Sequence, residues 1–173
     1  MEDTIEVLIE QEQVKKRISE MAAQISEEYA GREVHLLCIL KGSIFITCEL
    51  ARQLTVPCSI DFMSVSSYGN EMQSSGRVKI KKDLDEDIQG RHVIIVEDII
   101  DSGRTLFALR RELLGRNPAS LRICTLLDKP DKRAVDVDVD YTGFVIPDEF
   151  VVGYGLDYAQ KHRNLPYIGK IVQ

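Results

Sequence analysis

Two acids, Glu97 and Asp98, follow directly on the apolar run 93–96, and Asp101, Ser102, Gly103, Arg104 and Thr105 come three residues later. Leu106, Leu109 and Leu113 then recur at helical spacing. This order reads as a buried strand, a loop and a helix N-terminus. In open α/β sheets ligands bind at the carboxyl ends of strands. The free N–H groups and positive dipole end of a following helix favour an anion. The stretch therefore sets carboxylates beside a phosphate cradle. A bare phosphate site needs no carboxylates and a metal site needs no helix N-terminus, whereas a sugar phosphate with free hydroxyls uses both. The structural alternative is helix capping by Asp101 or Ser102 with surface acids alongside. Side chains alternate along a strand, so Glu97 and Asp98 reach one ligand only if the strand has ended and the backbone turns.

Two other stretches have the same form. Residues 34–40 are an apolar run closed by Lys41, Gly42 and Ser43, and a helix follows over 44–54. Residues 121–127 are a third run, closed by Asp128, Lys129 and Pro130. In an open sheet these strand ends face one crevice, bringing two ammonium groups to the carboxylates and the phosphate loop. Taken alone, Lys41 reads equally well as a solvent-exposed turn residue. His35 lies inside its run and reads as a packed or hydrogen-bonded histidine. Lys161, His162 and Arg163 form a basic cluster that pattern alone leaves on the surface. No G-x-x-x-x-G-K-[ST], strand-linked G-x-G-x-x-G or G-x-S-x-G is present, which excludes the commonest nucleotide and hydrolase motifs.

These loops must be held by an α/β framework, an open, mainly parallel sheet with helices on both faces. A helix spans 11–30, with Val14, Ile18, Met21, Ala22 and Ile25 on one side and Gly31 as its stop. A strand follows Pro57 over 58–65. Residues 66–76 carry two glycines and four serines, with Tyr68 and Met72 as the only large apolar groups, and read as a lid or a flexible hairpin. A return strand is expected at 78–80 and a solvated charged surface at 81–87. The alternating Val and Asp of 131–140 suggest a half-exposed or edge strand. Short strands are expected at 145–147 and 168–172. In residues 150–156, Gly153 and Gly155 let the backbone approach a ligand or another chain closely. The chain is one domain over 1–173, with a core of about 31–145 and a smaller subdomain from about 1–30 and 146–173.

The 173 residues suit one compact domain, and a net charge of −6 argues against nucleic acid as a partner. No apolar run approaches the roughly 20 residues of a membrane span. The acidic, polar first residues carry no secretory signal, and Cys38, Cys48, Cys58 and Cys124 form no C-x-x-C pair. A cytoplasmic protein with reduced thiols is the expectation.

The stretch V-I-I-V-E-D-I-I-D-S-G-R-T resembles the signature of type I phosphoribosyltransferases. The likeness extends to L-K-G-S at 40–43, S-S-Y at 66–68, D-K-P at 128–130 and F-V-V-G-Y-G-L-D-Y at 150–158, in the family's order over nearly the whole chain. Together these resemble the hypoxanthine-guanine branch of the family, of bacterial size. The resemblance implies that the smaller subdomain is a hood over the core. It implies that Glu97 and Asp98 hold the ribose hydroxyls of phosphoribosyl pyrophosphate. The loop of Asp101, Ser102, Gly103, Arg104 and Thr105 would hold the 5′-phosphate through backbone N–H groups and the hydroxyls of Ser102 and Thr105, with Arg104 at the variable position where relatives often have Lys. Asp101 would lie beside purine N7 as the acid/base. Lys41 and Gly42 would form the pyrophosphate loop, whose Leu40–Lys41 peptide can be cis in relatives, and Arg163 would contact pyrophosphate. Ser67 and Tyr68 would sit on the closing lid. Lys129 would donate to O6 of the base, Phe150 would stack on it, and the Val151 backbone would read its edge. Asp157 would lie by the base and bind Mg²⁺, with Glu97 and Asp98 as further carboxylates near the metal. The implied substrates are phosphoribosyl pyrophosphate, hypoxanthine and guanine, and the implied assembly is a homodimer or homotetramer. Lys129 and Phe150 speak against adenine and orotate, while xanthine stays open.

Overall fold

The computed structural model describes residues 4–67 and 78–172. In chain order the elements are β1 (Thr4–Ile9), α1 (Gln11–Glu28), β2 (Val34–Ile39), α2 (Ile44–Gln53), β3 (Cys58–Ser67), β4 (Val78–Lys82), β5 (His92–Ile100), α3 (Arg104–Leu114), β6 (Ser120–Asp128), β7 (Tyr141–Val145), β8 (Val151–Val152) and β9 (Ile168–Val172). A six-stranded sheet runs in the order β4-β3-β2-β5-β6-β7. It is parallel throughout except where β4 returns antiparallel to β3.

Strand alternation sorts the core into two layers. Leu36, Ile94, Val96, Cys124 and Leu126 point to the face covered by α1 and α2, whose Val14, Ile18, Met21, Ile25, Ile46 and Leu50 pack on them. Leu37, Ile39, Val93, Ile95 and Ile123 point to the other face, against Leu106, Leu109 and Leu113 of α3. Helices thus cover both faces, and the central strands are buried on both sides, as their unbroken apolar runs require. His35 is part of this interior, with Nδ1 2.8 Å from Ser59 Oγ. All four cysteines are free.

A second, three-stranded sheet has the order β1-β9-β8. Its strand β1 was not expected, because T-I-E-V-L-I is short and half of its residues are exposed; it forms by antiparallel pairing with β9 from the other end of the chain. Helix α1 packs on α2 and β7 of the main body.

The expected strand at 131–140 is absent. Pro130–Lys132 form a 3₁₀ turn, and Ala134 N–H donates to the Ser102 carbonyl at 2.9 Å. Val137 and Val139 pack on the α3 layer, so the alternation marks a half-buried crossing segment without a ladder partner. The edge strand is β7, which begins four residues before the expected 145–147 strand. Beyond β4, Leu84 packs inward while Asp85 and Glu86 donate their N–H groups to the buried Asp61 carboxylate. The expected lid over 66–76 lies almost wholly outside the described residues: Tyr68 does, and so does the side chain of Ser67, whose backbone ends β3.

Candidate active site

Strands β2, β5 and β6 are adjacent and parallel, so their carboxyl ends open on one edge of the sheet. The loops Lys41–Gly42, Asp101–Thr105 and Lys129 are therefore neighbours, as their spacing predicted.

The acids sit differently from the expectation. Strand β5 does not end at Val96 but continues through Glu97 and Asp98 to Ile100, with Glu97 in register with Thr125 and Ile100 with Asp128. The alternation of the strand is kept, and the two carboxylates diverge. Glu97, in phase with Val93 and Ile95, turns to the α3 side and lines a cavity of about 160 Å³ with Ser102, Gly103 and Thr105. Asp98, in phase with Ile94 and Val96, turns to the α2 side and meets Gly42. Burial is the main force on both groups. It pushes the Glu97 carboxyl well above the ordinary range, with the Asp98 charge adding to it. It raises Asp98 to about 6, opposed by the N–H of Ile99 and by the Arg163 charge. Each is a half-buried acid without a cationic hydrogen-bond partner among the described residues, which suits a hydroxyl or cation ligand.

The loop between β5 and α3 is open to an anion. The N-cap of helix α3 is Gly103, whose φ of 76° is left-handed, and no side chain caps the helix. A Cβ at Gly103 would also stand 3.1 Å from the Arg133 side chain. The left-handed backbone favours glycine there, and a Cβ would need the Arg133 side chain to yield by a few tenths of an ångström. Ser102 Oγ makes only a long 3.4 Å contact with Arg104 N–H. Asp101 does not cap the helix either; its carboxylate lies 3.5 Å from Lys129 Nζ. Arg104 itself is exposed. The capping alternative is set aside: the first turn of α3 has no side-chain cap, and Gly103, Thr105 and Leu106 line the small cavity.

A second cleft, of about 470 Å³, adjoins the first and shares Asp101 and Ser102 with it. Lys129, Lys132, Asp148, Glu149 and Phe150 complete its walls. Lys129 is buried and Phe150 is exposed, its ring edge-to-face with Tyr158 at 5.5 Å. Val151 is paired with Lys170 of β9. Asp148 and Lys132 were not foreseen from the sequence. Their one signal was charge: an acid within two residues of Phe150, and a lysine three beyond Lys129.

The C-terminal segment closes the third side. Of the 161–163 basic cluster, Arg163 turns inward; it pairs with Asp157 at 2.7 Å and donates to the Gly155 carbonyl at 2.6 Å. A Cβ on Gly155 would lie 1.9 Å from the Gly42 carbonyl oxygen, so the close approach foreseen there is to this chain's own loop. Lys41 is solvent-exposed yet reaches across to Gln160 at 3.0 Å. The Leu40–Lys41 peptide is cis.

The three carboxylates expected near a metal, Glu97, Asp98 and Asp157, are not gathered into a cage. No cluster of three or more His, Cys, Asp or Glu side chains suited to a metal occurs among the described residues. The divergence of Glu97 and Asp98 on β5 is the reason. Isolated carboxylates at an anion site fit Mg²⁺, which commonly takes one or two of them together with substrate phosphates.

The fold and this edge define an α/β enzyme that binds a phosphorylated sugar. The family model for the phosphoribosyl transferase domain matches residues 6–159, and the chain belongs to that family. It is 56% identical to the hypoxanthine phosphoribosyltransferase of Salmonella typhimurium, covering 99% of this chain and 98% of that one. It is 50% identical to the hypoxanthine-guanine phosphoribosyltransferase of Mycobacterium avium, over 98% of this chain and 86% of that one. The crystal structure of a hypoxanthine-guanine phosphoribosyltransferase from Bacillus anthracis superposes with a TM-score of 0.94 at 47% identity, covering 99% of this chain and all of that one. No helix among the described residues is long and apolar enough to cross a membrane.

Proposed function

We propose that the protein transfers the 5-phosphoribosyl group of phosphoribosyl pyrophosphate to N9 of hypoxanthine or guanine, releasing pyrophosphate. The observation that carries this reading is the pair of cavities joined at Asp101 and Ser102, one a phosphate cradle and the other walled by Lys129 and Phe150. Their connection has the layout of a nucleoside monophosphate, with the ribose between them beside Glu97.

Ser102, Gly103, Arg104 and Thr105 bind the 5′-phosphate through backbone N–H groups and hydroxyls. Glu97 accepts from the ribose hydroxyls, while Asp98, turned to the other side of β5 against Gly42, faces the pyrophosphate loop. Lys41, Gly42 and Arg163 line the pyrophosphate side, where positive charge favours departure of the leaving group. Asp157 is the carboxylate to hold Mg²⁺ there, with Glu97 and Asp98 close by; bound with pyrophosphate, the ion supplies further charge neutralisation. Asp101 exchanges the proton at N7 of the base. Lys129 donates to O6, Phe150 stacks on the ring, and the Val151 backbone reads the ring edge beside Asp157. Adenine presents an amino donor at position 6, which would leave a donor facing the ammonium. The β1-β9-β8 sheet serves as a hood over the base, and Ser67 and Tyr68 begin the lid that shields the transferring sugar from water. The working form is a cytoplasmic homodimer or homotetramer.

Turnover with Mg²⁺, phosphoribosyl pyrophosphate and each of hypoxanthine, guanine, xanthine and adenine tests the reading. Inosine monophosphate and pyrophosphate are the expected products from hypoxanthine. Turnover of adenine alone would overturn the assignment.

A further inference from the structure

The ammonium of Lys129 lies between two carboxylates, 3.5 Å from Asp101 and 3.8 Å from Asp148. Lys129 is only 7% exposed, and a buried ammonium needs a paired anion. On the reading above, Asp101 has a second task at N7 of the base, so it is not a constant partner. Asp148 carries no such task. Its Oδ1 faces Lys129, and its Oδ2 takes a 2.7 Å bridge from Lys132, which anchors the carboxylate from the opposite side. All four charges line the same cleft.

We propose that Asp148 is a positioning residue for base recognition: anchored by Lys132, it keeps the Lys129 ammonium directed at the 6-oxo group while Asp101 is occupied with the base. The inference rests on the proposed function, since it assigns the partner of the residue that reads position 6. It differs from a general structural role in one respect. Asp148 acts through Lys129, so its effect vanishes when Lys129 is gone.

A double-mutant cycle reads this directly. Asp148→Asn keeps the shape of the side chain and removes its charge. It is expected to raise KM for hypoxanthine about tenfold, with kcat and KM for phosphoribosyl pyrophosphate within about twofold, because the ammonium is misdirected rather than lost. In a Lys129→Ala background the same substitution is expected to change KM for hypoxanthine by less than about twofold. Asp148→Glu restores a carboxylate and is expected to recover part of the loss. An equal rise in both backgrounds, or no rise in either, overturns the inference. So does a parallel rise in KM for both substrates with a lowered melting temperature, which marks a structural role. If the unsubstituted protein fails to use any 6-oxopurine, the proposed function has failed instead; normal turnover with a silent Asp148→Asn sinks this inference alone.

Discussion

The Asp98 carboxylate is seated against the backbone of Gly42, such that a Cβ on that glycine would stand 1.7 Å from Oδ2. The contact joins the end of β5 to the loop after β2, and the Gly42 carbonyl in turn backs on Gly155. Strand β5 and two loops therefore meet with no space for a methyl group. Gly42→Ala should displace Asp98 or open the loop. An overpacked site of this kind costs about 1–3 kcal/mol. We expect a lower melting temperature and a KM for phosphoribosyl pyrophosphate raised at least about tenfold. Wild-type kinetics in this variant would mean that the loop yields freely and does not position the carboxylate.

Asp98 also makes stability depend on pH in an unusual direction. Its folded pKa of about 6 lies above the ordinary 3.8, because burial disfavours the charged form. Between those values the native state holds more protons than the unfolded one, so this group's contribution falls as pH rises from 4 to 6. Below pH 4 the penalty is absent, and above pH 6 it is fully present. Asp98→Asn should therefore raise the melting temperature of the ligand-free protein at pH 7 and flatten its profile between pH 4 and 6, while slowing turnover. The size is on the order of 2–3 kcal/mol at pH 7. Thermal melts of both proteins across pH 4–8 check this; a variant less stable than wild type at pH 7 would show that the ionised carboxylate is well satisfied.

Legibility from sequence followed the strength of local pattern. The 93–105 stretch was readable as strand, loop and helix because four buried aliphatics, a left-handed glycine and a helical leucine series all point the same way. The same stretch left one point open. Alternation was expected to set the adjacent acids apart unless the strand ended before them; the ladder to β6 continues beneath them, and it splits Glu97 from Asp98. Residues 131–140 misled: alternation records which side is buried, and Val137 and Val139 are indeed inward, but it does not supply a hydrogen-bonding neighbour. Strand β1 was illegible because its partner β9 lies more than 150 residues away and half of its own residues are exposed. Asp148 was missed for a like reason. Its meaning comes from Lys129 and Lys132, which an unrelated turn brings to it.

Lys129 is expected to carry the discrimination at position 6 of the base. Removing it loses a charged hydrogen bond, worth about 1.5–3 kcal/mol. Lys129→Ala should lower kcat/KM for hypoxanthine by roughly 10–150-fold, leaving the residual rate with adenine nearly unchanged. The measured quantity is the ratio of the two rates. If that ratio stays at its wild-type value, the buried ammonium is a structural counter-ion for Asp101 and Asp148 and does not read the base.

Asp101 stands where the two cavities join, and its surroundings suit a group that exchanges a proton. Its side chain is 57% exposed, close to Lys129 but not locked by it, while its backbone carbonyl is fixed by Arg133 at 3.1 Å. The main chain is thus held and the carboxylate is left free to turn towards the base. Asp101→Asn keeps the volume and removes the capacity to accept a proton. We expect kcat to fall about 10²-fold, the scale of general acid–base catalysis. The dissociation constant of phosphoribosyl pyrophosphate, measured by titration calorimetry, should change by less than about threefold, because the phosphate cradle of Ser102, Gly103 and Thr105 is untouched. The contrast between the two numbers is what identifies the role. A loss of binding equal to the loss of turnover would make Asp101 part of the cradle, and wild-type turnover would remove it from the chemistry altogether.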